Sequence, residues 1–171
     1  MASGDHRSLA PSTLDGAGLR IGLVRARWNT ELVGRLADGV RRGVESLGGG
    51  VVEEVTVPGC FEIPLGRSAL ATSGSVDAIV CIGAVIRGET THYEIVSGEC
   101  ARGVQDVQLR THVPIGFGVL TVENEAQAMA RSEGPGGHNV GEESAWAAIE
   151  MAVLVADQTT QTDRSAVAAT A

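Results

Sequence analysis

The residues best suited to chemistry stand together in the segment Arg87–His92, which reads RGETTH and directly follows an apolar run. Packing alone does not require this mixture of a cation, a carboxylate, two hydroxyls and an imidazole. Backbone N–H groups at a turn that leads into a helix attract anions, because they are unpaired and the helix dipole favours negative charge. Thr90 and Thr91 add hydroxyl donors, whereas Glu89 is expected to contribute only its backbone. A capped helix with an exposed arginine explains the same residues, and the loop alone does not separate these interpretations.

His92 lies just inside the helix predicted after this turn. A histidine titrates near neutral pH and can transfer protons during imine formation and elimination. A lone histidine is more often structural or solvated, so the adjacent anion-binding turn is what favours a functional role. No two of the four histidines have metal-ligand spacing, and we therefore expect no metal site.

Three further side chains could line a site for a planar, hydroxylated ligand. Aromatic residues make up only 3% of the chain, and Trp28 lies where the first predicted strand ends. An indole at that place can stack on a heterocycle, although packing on the first helix is the default. Glu62 could accept hydrogen bonds from a polyol or could complement a helix dipole. Phe117, in the fourth predicted strand, is either a core residue or a pocket wall.

The elements that would position these residues alternate along the chain. Strands are predicted at 19–24, 51–57, 76–86 and 113–122, and helices at 31–47, 64–74, 91–109, 124–132 and 142–158. This order predicts a parallel sheet with right-handed crossovers and helices on both faces. The run 76–86 is apolar without alternation, as expected of a central strand buried on both sides. Because ligands bind beyond the carboxyl ends of such strands, the unusual residues should share one rim.

Composition narrows the function classes. The net charge is −8 and the chain has no lysine, which argues against a nucleic-acid-binding face. The three cysteines are widely spaced and odd in number, which favours reduced thiols and a cytoplasmic location. We found no secretory signal and no apolar run of membrane-spanning length. A single domain is predicted at 18–157, with a flexible arm at 1–17 and a flexible tail at 158–171.

Read together, five segments resemble the lumazine synthase family. They are RWN, VPGCFEIP, GAVIRGETTHYEIV, FGVLTVENEAQAMAR and GEESAWAAIEM, and they occur in the family's order between about residues 19 and 156. Each segment is weakly informative by itself, but five in register are specific.

The resemblance implies a flavodoxin-like three-layer sandwich with a four-stranded parallel sheet, and an activity without metal or cofactor. The implied reaction condenses 5-amino-6-(D-ribitylamino)uracil with 3,4-dihydroxy-2-butanone 4-phosphate to give 6,7-dimethyl-8-ribityllumazine, phosphate and water, in riboflavin synthesis. It also implies homopentamers or sixty-subunit shells with active sites between subunits. Riboflavin synthase is a further expected partner.

The resemblance also implies roles for individual residues. Trp28 would stack on the pyrimidine, Glu62 would bind the ribityl hydroxyls and His92 would be the proton donor. Arg131 would be the cationic partner of the phosphate, and Phe117 would close the pocket from a neighbouring subunit. The remaining expected substrate-binding residues are Asn29, Cys60, Phe61, Ala84, Val85 and Ile86, and the remaining phosphate-binding residues are Gly88, Glu89 and Thr90.

Two departures from the family pattern leave alternatives open. Val140 stands where the family usually has a lysine, and Cys60 replaces a small alanine or serine. The lost cation could weaken substrate binding or mark an altered substrate. A paralogue with a mainly structural shell or ligand-binding role is therefore the second hypothesis, and a flavin carrier is the third. Arg131, His92 and the RGETT turn favour the enzyme over both.

Overall fold

Four parallel strands form the centre of the molecule. The computed structural model describes residues 10–169, with side chains described from Ala10 to Thr159. The strands are β1 (Arg20–Ala26), β2 (Gly50–Val57), β3 (Ala78–Ile86) and β4 (Ile115–Val122), in the spatial order β2-β1-β3-β4. This arrangement confirms the predicted fold class.

The helices follow the predicted alternation. They are α1 (Thr30–Ser46), α2 (Ile63–Ser73), α3 (His92–Thr111), α4 (Glu125–Met129) and α5 (Val140–Ala169), and a 3₁₀ turn at Cys60–Glu62 precedes α2. The final helix continues well past Gln158, where the sequence pattern predicted its end.

Apolar side chains on the two faces of the sheet make two core clusters. On one face, α1 and α5 pack against β1 and β3 through residues such as Leu36 and Ile149. On the other face, α2 and α3 contribute Ile63 and Val104. Seven consecutive residues of β3 are buried, which explains why its sequence does not alternate.

Helix α5 lies directly on β4, and glycine makes this approach possible. A Cβ atom at Gly116 would lie 1.9 Å from the carbonyl oxygen of Ser144, which no side chain could tolerate. The contact fixes α5 against the edge of the sheet.

The segment before β1 is partly in contact with this core. Leu14 packs against the cluster between α1 and α5, and the amide of Gly16 donates to the carbonyl of Leu47 at 2.7 Å. The rest of the predicted arm, residues 1–9, lies outside the described residues. The predicted flexibility of this arm and of the tail at 158–171 stays a prediction.

Candidate active site

The segments that carry the predicted site residues leave the sheet at the same edge. Strands β1 and β2 pair in register up to Ala26 and Val57, and β3 pairs with β4 up to Ile86 and Val122. A backbone hydrogen bond continues beyond the end of β1, where the amide of Arg27 donates to the carbonyl of Val57 at 2.9 Å. The chain segments that follow the four strands therefore begin along one rim, as the alternation predicted.

Trp28 and Glu62 both lie next to Gly59 at this rim. A Cβ atom on Gly59 would lie 3.3 Å from Cδ1 of the indole and 3.2 Å from Oε2 of the carboxylate. The Trp28 side chain is 74% exposed, and that of the neighbouring Phe61 is 54% exposed. An exposed ring beside a carboxylate can stack on a heterocycle while the carboxylate accepts hydrogen bonds from hydroxyls.

Cys60 follows Gly59 and lies against β3. Its thiol is buried, and a Cβ on Gly83 of β3 would lie 2.5 Å from its sulfur, so only glycine allows this approach. Burial raises the pKa of Cys60 to about 11, although a backbone hydrogen bond from Ala84 acts in the opposite direction. The thiol is protonated at neutral pH, so Cys60 can line the site but is a poor nucleophile.

Asn29 links the end of β1 to the end of β3. Its backbone is left-handed, with φ 58° and ψ 48°, and its side-chain Nδ2 donates to the carbonyl of Ala84 at 2.9 Å. Ala84 is buried, whereas Val85 and Ile86 are half-buried beside it. The side chain of Asn29, an expected substrate-binding residue, thus already donates a hydrogen bond within the protein.

The predicted anion-binding turn is exposed and leads into a long helix. Gly88, Glu89, Thr90 and His92 are all exposed, and α3 begins at His92. The amide of His92 lies 3.4 Å from Oγ1 of Thr90. An exposed turn before a helix of this length offers N–H groups and a favourable dipole to an anion.

Arg87 holds this turn by contacts that the sequence analysis did not identify. Its Nε donates to Glu123 at 2.7 Å, its Nη1 donates to Glu94, and its guanidinium lies 4.1 Å from the centre of the Tyr93 ring. The hydrogen bonds that Arg87 donates to the carboxylates of Glu94 and Glu123 raise its pKa. These contacts connect the ends of β3 and β4 to α3. Because two carboxylates neutralise the charge of Arg87, its guanidinium is not free to bind a substrate anion.

Phe117 and Arg131 lie differently from the other predicted residues. Phe117 pairs with Cys81 in the first half of β4, away from the carboxyl end, and its side chain is 39% exposed on an edge strand. Arg131 follows α4, is exposed, and its Nη1 donates to the carbonyl of Gln127 at 3.0 Å. Apart from Phe117 and Arg131, the predicted site residues thus lie at the rim of the sheet where the strands end. Phe117 lies away from that rim.

Comparison with known proteins adds an independent observation. A family model described as 6,7-dimethyl-8-ribityllumazine synthase matches residues 18–156. This chain belongs to that family. The predicted resemblance is confirmed, and its predicted limits agree closely with the matched residues.

Curated relatives that carry the lumazine synthase name align with most of the chain. The protein of Thermococcus gammatolerans is 48% identical over 140 residues, covering 82% of this chain and 90% of the relative. The Cupriavidus necator protein is 47% identical over 154 residues, covering 89% of each chain. The Kineococcus radiotolerans protein is 46% identical over 143 residues, covering 83% of this chain and 88% of the relative.

Val140, which was predicted from the resemblance to replace a lysine, contributes to the packing of the fold. Its side chain packs against the core cluster of α1 and α5, and its amide donates to the carbonyl of Arg131 at 3.0 Å. The preceding Asn139 is buried, and its side chain donates to the carbonyls of Arg35 and Glu133. Val140 therefore fixes the backbone of Arg131 but brings no charge.

The longest described helices of this lumazine synthase family member are α3, with 20 residues, and α5, with 30 residues. Within the described part of the chain, none is both long enough and apolar enough to cross a bilayer.

Proposed function

We propose that this chain condenses 5-amino-6-(D-ribitylamino)uracil with 3,4-dihydroxy-2-butanone 4-phosphate, giving 6,7-dimethyl-8-ribityllumazine, phosphate and water in riboflavin biosynthesis. The chain belongs to a transferase family named for this product. The observation that carries the proposal is the convergence of Trp28, Glu62 and the turn before His92 at one rim of the sheet.

The amine substrate fits the side of the rim formed by β1 and β2. The exposed indole of Trp28 would stack on the pyrimidine, and the Glu62 carboxylate beside it would accept hydrogen bonds from the ribityl hydroxyls. Cys60 and Phe61 would line the ribityl side, and Ala84, Val85 and Ile86 would border the heterocycle.

The ketone phosphate fits the side of the rim formed by β3 and α3. Backbone N–H groups of Gly88, Glu89 and Thr90 would bind its phosphate at the start of α3. The substrate amine attacks the ketone carbonyl, an imine forms with loss of one water, the phosphate leaves, and the ring then closes with loss of a second water. His92 would donate the protons that these eliminations require, and alignment of the two substrates would supply much of the remaining rate.

The phosphate also needs a cation, and we assign this role to an arginine from another copy of the chain. Arg87 is closest to the turn in sequence, but Glu94 and Glu123 neutralise it. Among the described contacts, no carboxylate pairs with Arg131. We therefore assign Arg131 and Phe117 to the site of a neighbouring subunit, in a homo-oligomer that is either a pentamer or a sixty-subunit shell.

A second function, a paralogue with an altered substrate or a mainly structural role, is supported by Val140. Its side chain packs against the core cluster of α1 and α5, so this position carries no cation where the resemblance implies a lysine. The two functions predict different effects of Val140→Lys. A synthase adapted to valine gains little from the change, whereas a paralogue that lost turnover gains synthase activity.

A direct assay separates the two functions. Purified protein is mixed with both substrates, and lumazine formation is followed by absorbance and fluorescence against the uncatalysed rate. Saturable turnover by the unmodified protein supports the synthase, and His92→Ala provides the background. A rate equal to the uncatalysed one, raised by Val140→Lys, would support the paralogue instead.

A further inference from the structure

We infer that Asn29 is a positioning residue, whose side-chain amide holds the Trp28 ring over the bound heterocycle by its hydrogen bond to the Ala84 carbonyl. This inference deepens the proposed function and rests on it. It differs from the expected role of Asn29 as a direct substrate ligand.

The hydrogen bond lies where the main-chain connection between β1 and β3 ends. These strands pair only as far as Arg25 and Ile82, while β3 runs on to Ile86 along β4. The Asn29 amide reaches Ala84 beyond this last pair, at 2.9 Å. It therefore joins the segment that leaves β1 to the strand that borders the proposed heterocycle site.

The other side of the same segment is joined to β2. The amide of Arg27 donates to Val57 at 2.9 Å, and that of Trp28 lies 3.4 Å from the carbonyl of Pro58. Trp28 thus stands between one connection to β2 and one connection to β3. Because its indole is 74% exposed, few packing contacts orient the ring, and its backbone anchors must do so.

The residue type fits this role. The left-handed backbone at position 29 costs most side chains energy, and asparagine tolerates it better than most. The same side chain then supplies a donor directed at Ala84. Three substitutions separate these properties. Asn29→Gly keeps the backbone freedom but loses the donor, Asn29→Asp replaces the donor with an oxygen facing a carbonyl, and Asn29→Ala loses both.

The matched control is Thr30→Val in the same turn. In the unmodified chain the hydroxyl of Thr30 donates to the carbonyl of Arg27 at 2.8 Å. This hydrogen bond lies within the segment and does not reach β3. If the connection between strands is what matters, this control leaves both substrate affinities unchanged.

The kinetic test measures KM for each substrate separately. Loss of one hydrogen bond in Asn29→Gly or Asn29→Asp should raise KM for ribitylaminouracil by about fivefold to tenfold. KM for the ketone phosphate, kcat and Tm should change little. Equal effects on both substrates, an unchanged KM for the pyrimidine, or the same shift in Thr30→Val would overturn the inference.

A fluorescence test does not depend on turnover. The chain has two tryptophans, so Trp146→Phe leaves Trp28 as the single indole. In that background, Asn29→Gly should lower the anisotropy of Trp28 emission, and Thr30→Val should not. If the unmodified protein forms no lumazine, the proposed function fails, yet this comparison still tests the positioning. Unchanged anisotropy in Asn29→Gly would reject it.

Discussion

The indole of Trp28 and the carboxylate of Glu62 both lie next to Gly59, where one added methyl group would touch both. Its carbon would lie 3.3 Å from the ring and 3.2 Å from the carboxylate oxygen. The two groups that we assign to pyrimidine and ribityl binding are therefore held at a spacing that depends on a glycine.

Gly59→Ala should move both groups by a few tenths of an ångström without unfolding the chain, since both side chains are partly exposed and can shift. We expect KM for ribitylaminouracil to rise roughly threefold to tenfold, because binding groups lose their alignment. KM for the ketone phosphate should stay unchanged. Gly50→Ala, where no atom lies within 4 Å of the added carbon, is the control for adding a methyl group.

His92→Ala should lower kcat more than it alters substrate binding, because the imidazole is assigned to proton transfer. A loss of about 10²–10⁴ in kcat is typical of a removed general acid or base. His112→Asn is the matched control, since His112 lies at the other end of α3, is exposed and has a left-handed backbone that asparagine accepts. A normal kcat in His92→Ala would remove the assignment.

Arg131→Ala should raise KM for the phosphorylated ketone by about tenfold to a hundredfold, as expected when a charged hydrogen bond to phosphate is lost. KM for the pyrimidine should change much less. Steady-state kinetics with each substrate varied in turn distinguishes the two effects.

Mixing variants tests whether Arg131 acts in a neighbouring subunit. When Trp28→Ala and Arg131→Ala subunits are unfolded and reassembled together, about a quarter of interfaces should pair two intact surfaces. Activity should therefore reappear. Trp28→Ala mixed with His92→Ala is the control, since both residues lie on one chain's rim and no interface becomes intact. Activity no greater than the sum of the separate variants would place Arg131 in its own chain's site.

Gly39→Ala should be strongly destabilising, whereas Gly34→Ala in the same helix should be neutral or stabilising. A Cβ on Gly39 would lie 2.0 Å from Oδ1 of the buried Asn139, but no atom lies within 4 Å at Gly34. Alanine at an open helix position gains about 0.5–1 kcal/mol over glycine. Chemical denaturation of both variants measures the contrast, and equal stabilities would show that Asn139 relaxes freely.

Arg67→Met should raise the free energy of unfolding. Arg67 is fully buried, its Nη1 donates to the Val104 carbonyl at 2.8 Å, and its Nε has no hydrogen-bond partner among the described atoms. An apolar side chain of similar size removes the cost of burying a charge that has no carboxylate partner among the described contacts, on the order of several kcal/mol, and loses hydrogen bonds worth about 1.5–3 kcal/mol. Arg67→Ala is the comparison, because the cavity left by the removed side chain should lower the free energy of unfolding by about 2–5 kcal/mol. Equal losses in both variants would contradict the argument.

The pH dependence of Arg67 has a definite sign. Burial lowers its pKa from 12.5 to about 10 in the folded chain. Between these two pKa values the unfolded chain binds more protons than the folded chain. The free-energy cost of burying the charged guanidinium is therefore complete at neutral pH and decreases above about pH 10. The difference in stability between Arg67→Met and the unmodified chain should therefore narrow in alkaline solution.

The sequence predicted the architecture because the burial of each element determines the spacing of apolar residues along that element. The apolar run of β3 and the helical spacing in α1 depend on burial within a single element. The shared rim followed from the parallel sheet, since successive strands must end at the same edge. For these features, knowledge of tertiary contacts was not required.

The details of the site depended on contacts between distant segments. Asn29 could be recognised as a site residue, but its hydrogen bond to Ala84 requires β1 and β3 to be neighbours in space. The pairing of Arg87 with Glu123 likewise depends on how β3 and β4 align. Arg67 lay within a short helix pattern, and nothing in its local sequence indicated that the fold would bury it.

The burial of all three cysteines has a practical consequence. Cys60, Cys81 and Cys100 are free and enclosed, and burial raises their pKa values to about 11 and 12. None is a ready target for maleimide or iodoacetamide at neutral pH. A single cysteine introduced on the surface would therefore be the reactive thiol of choice, so a dye or spin label could be attached at one chosen position without first removing the natural ones.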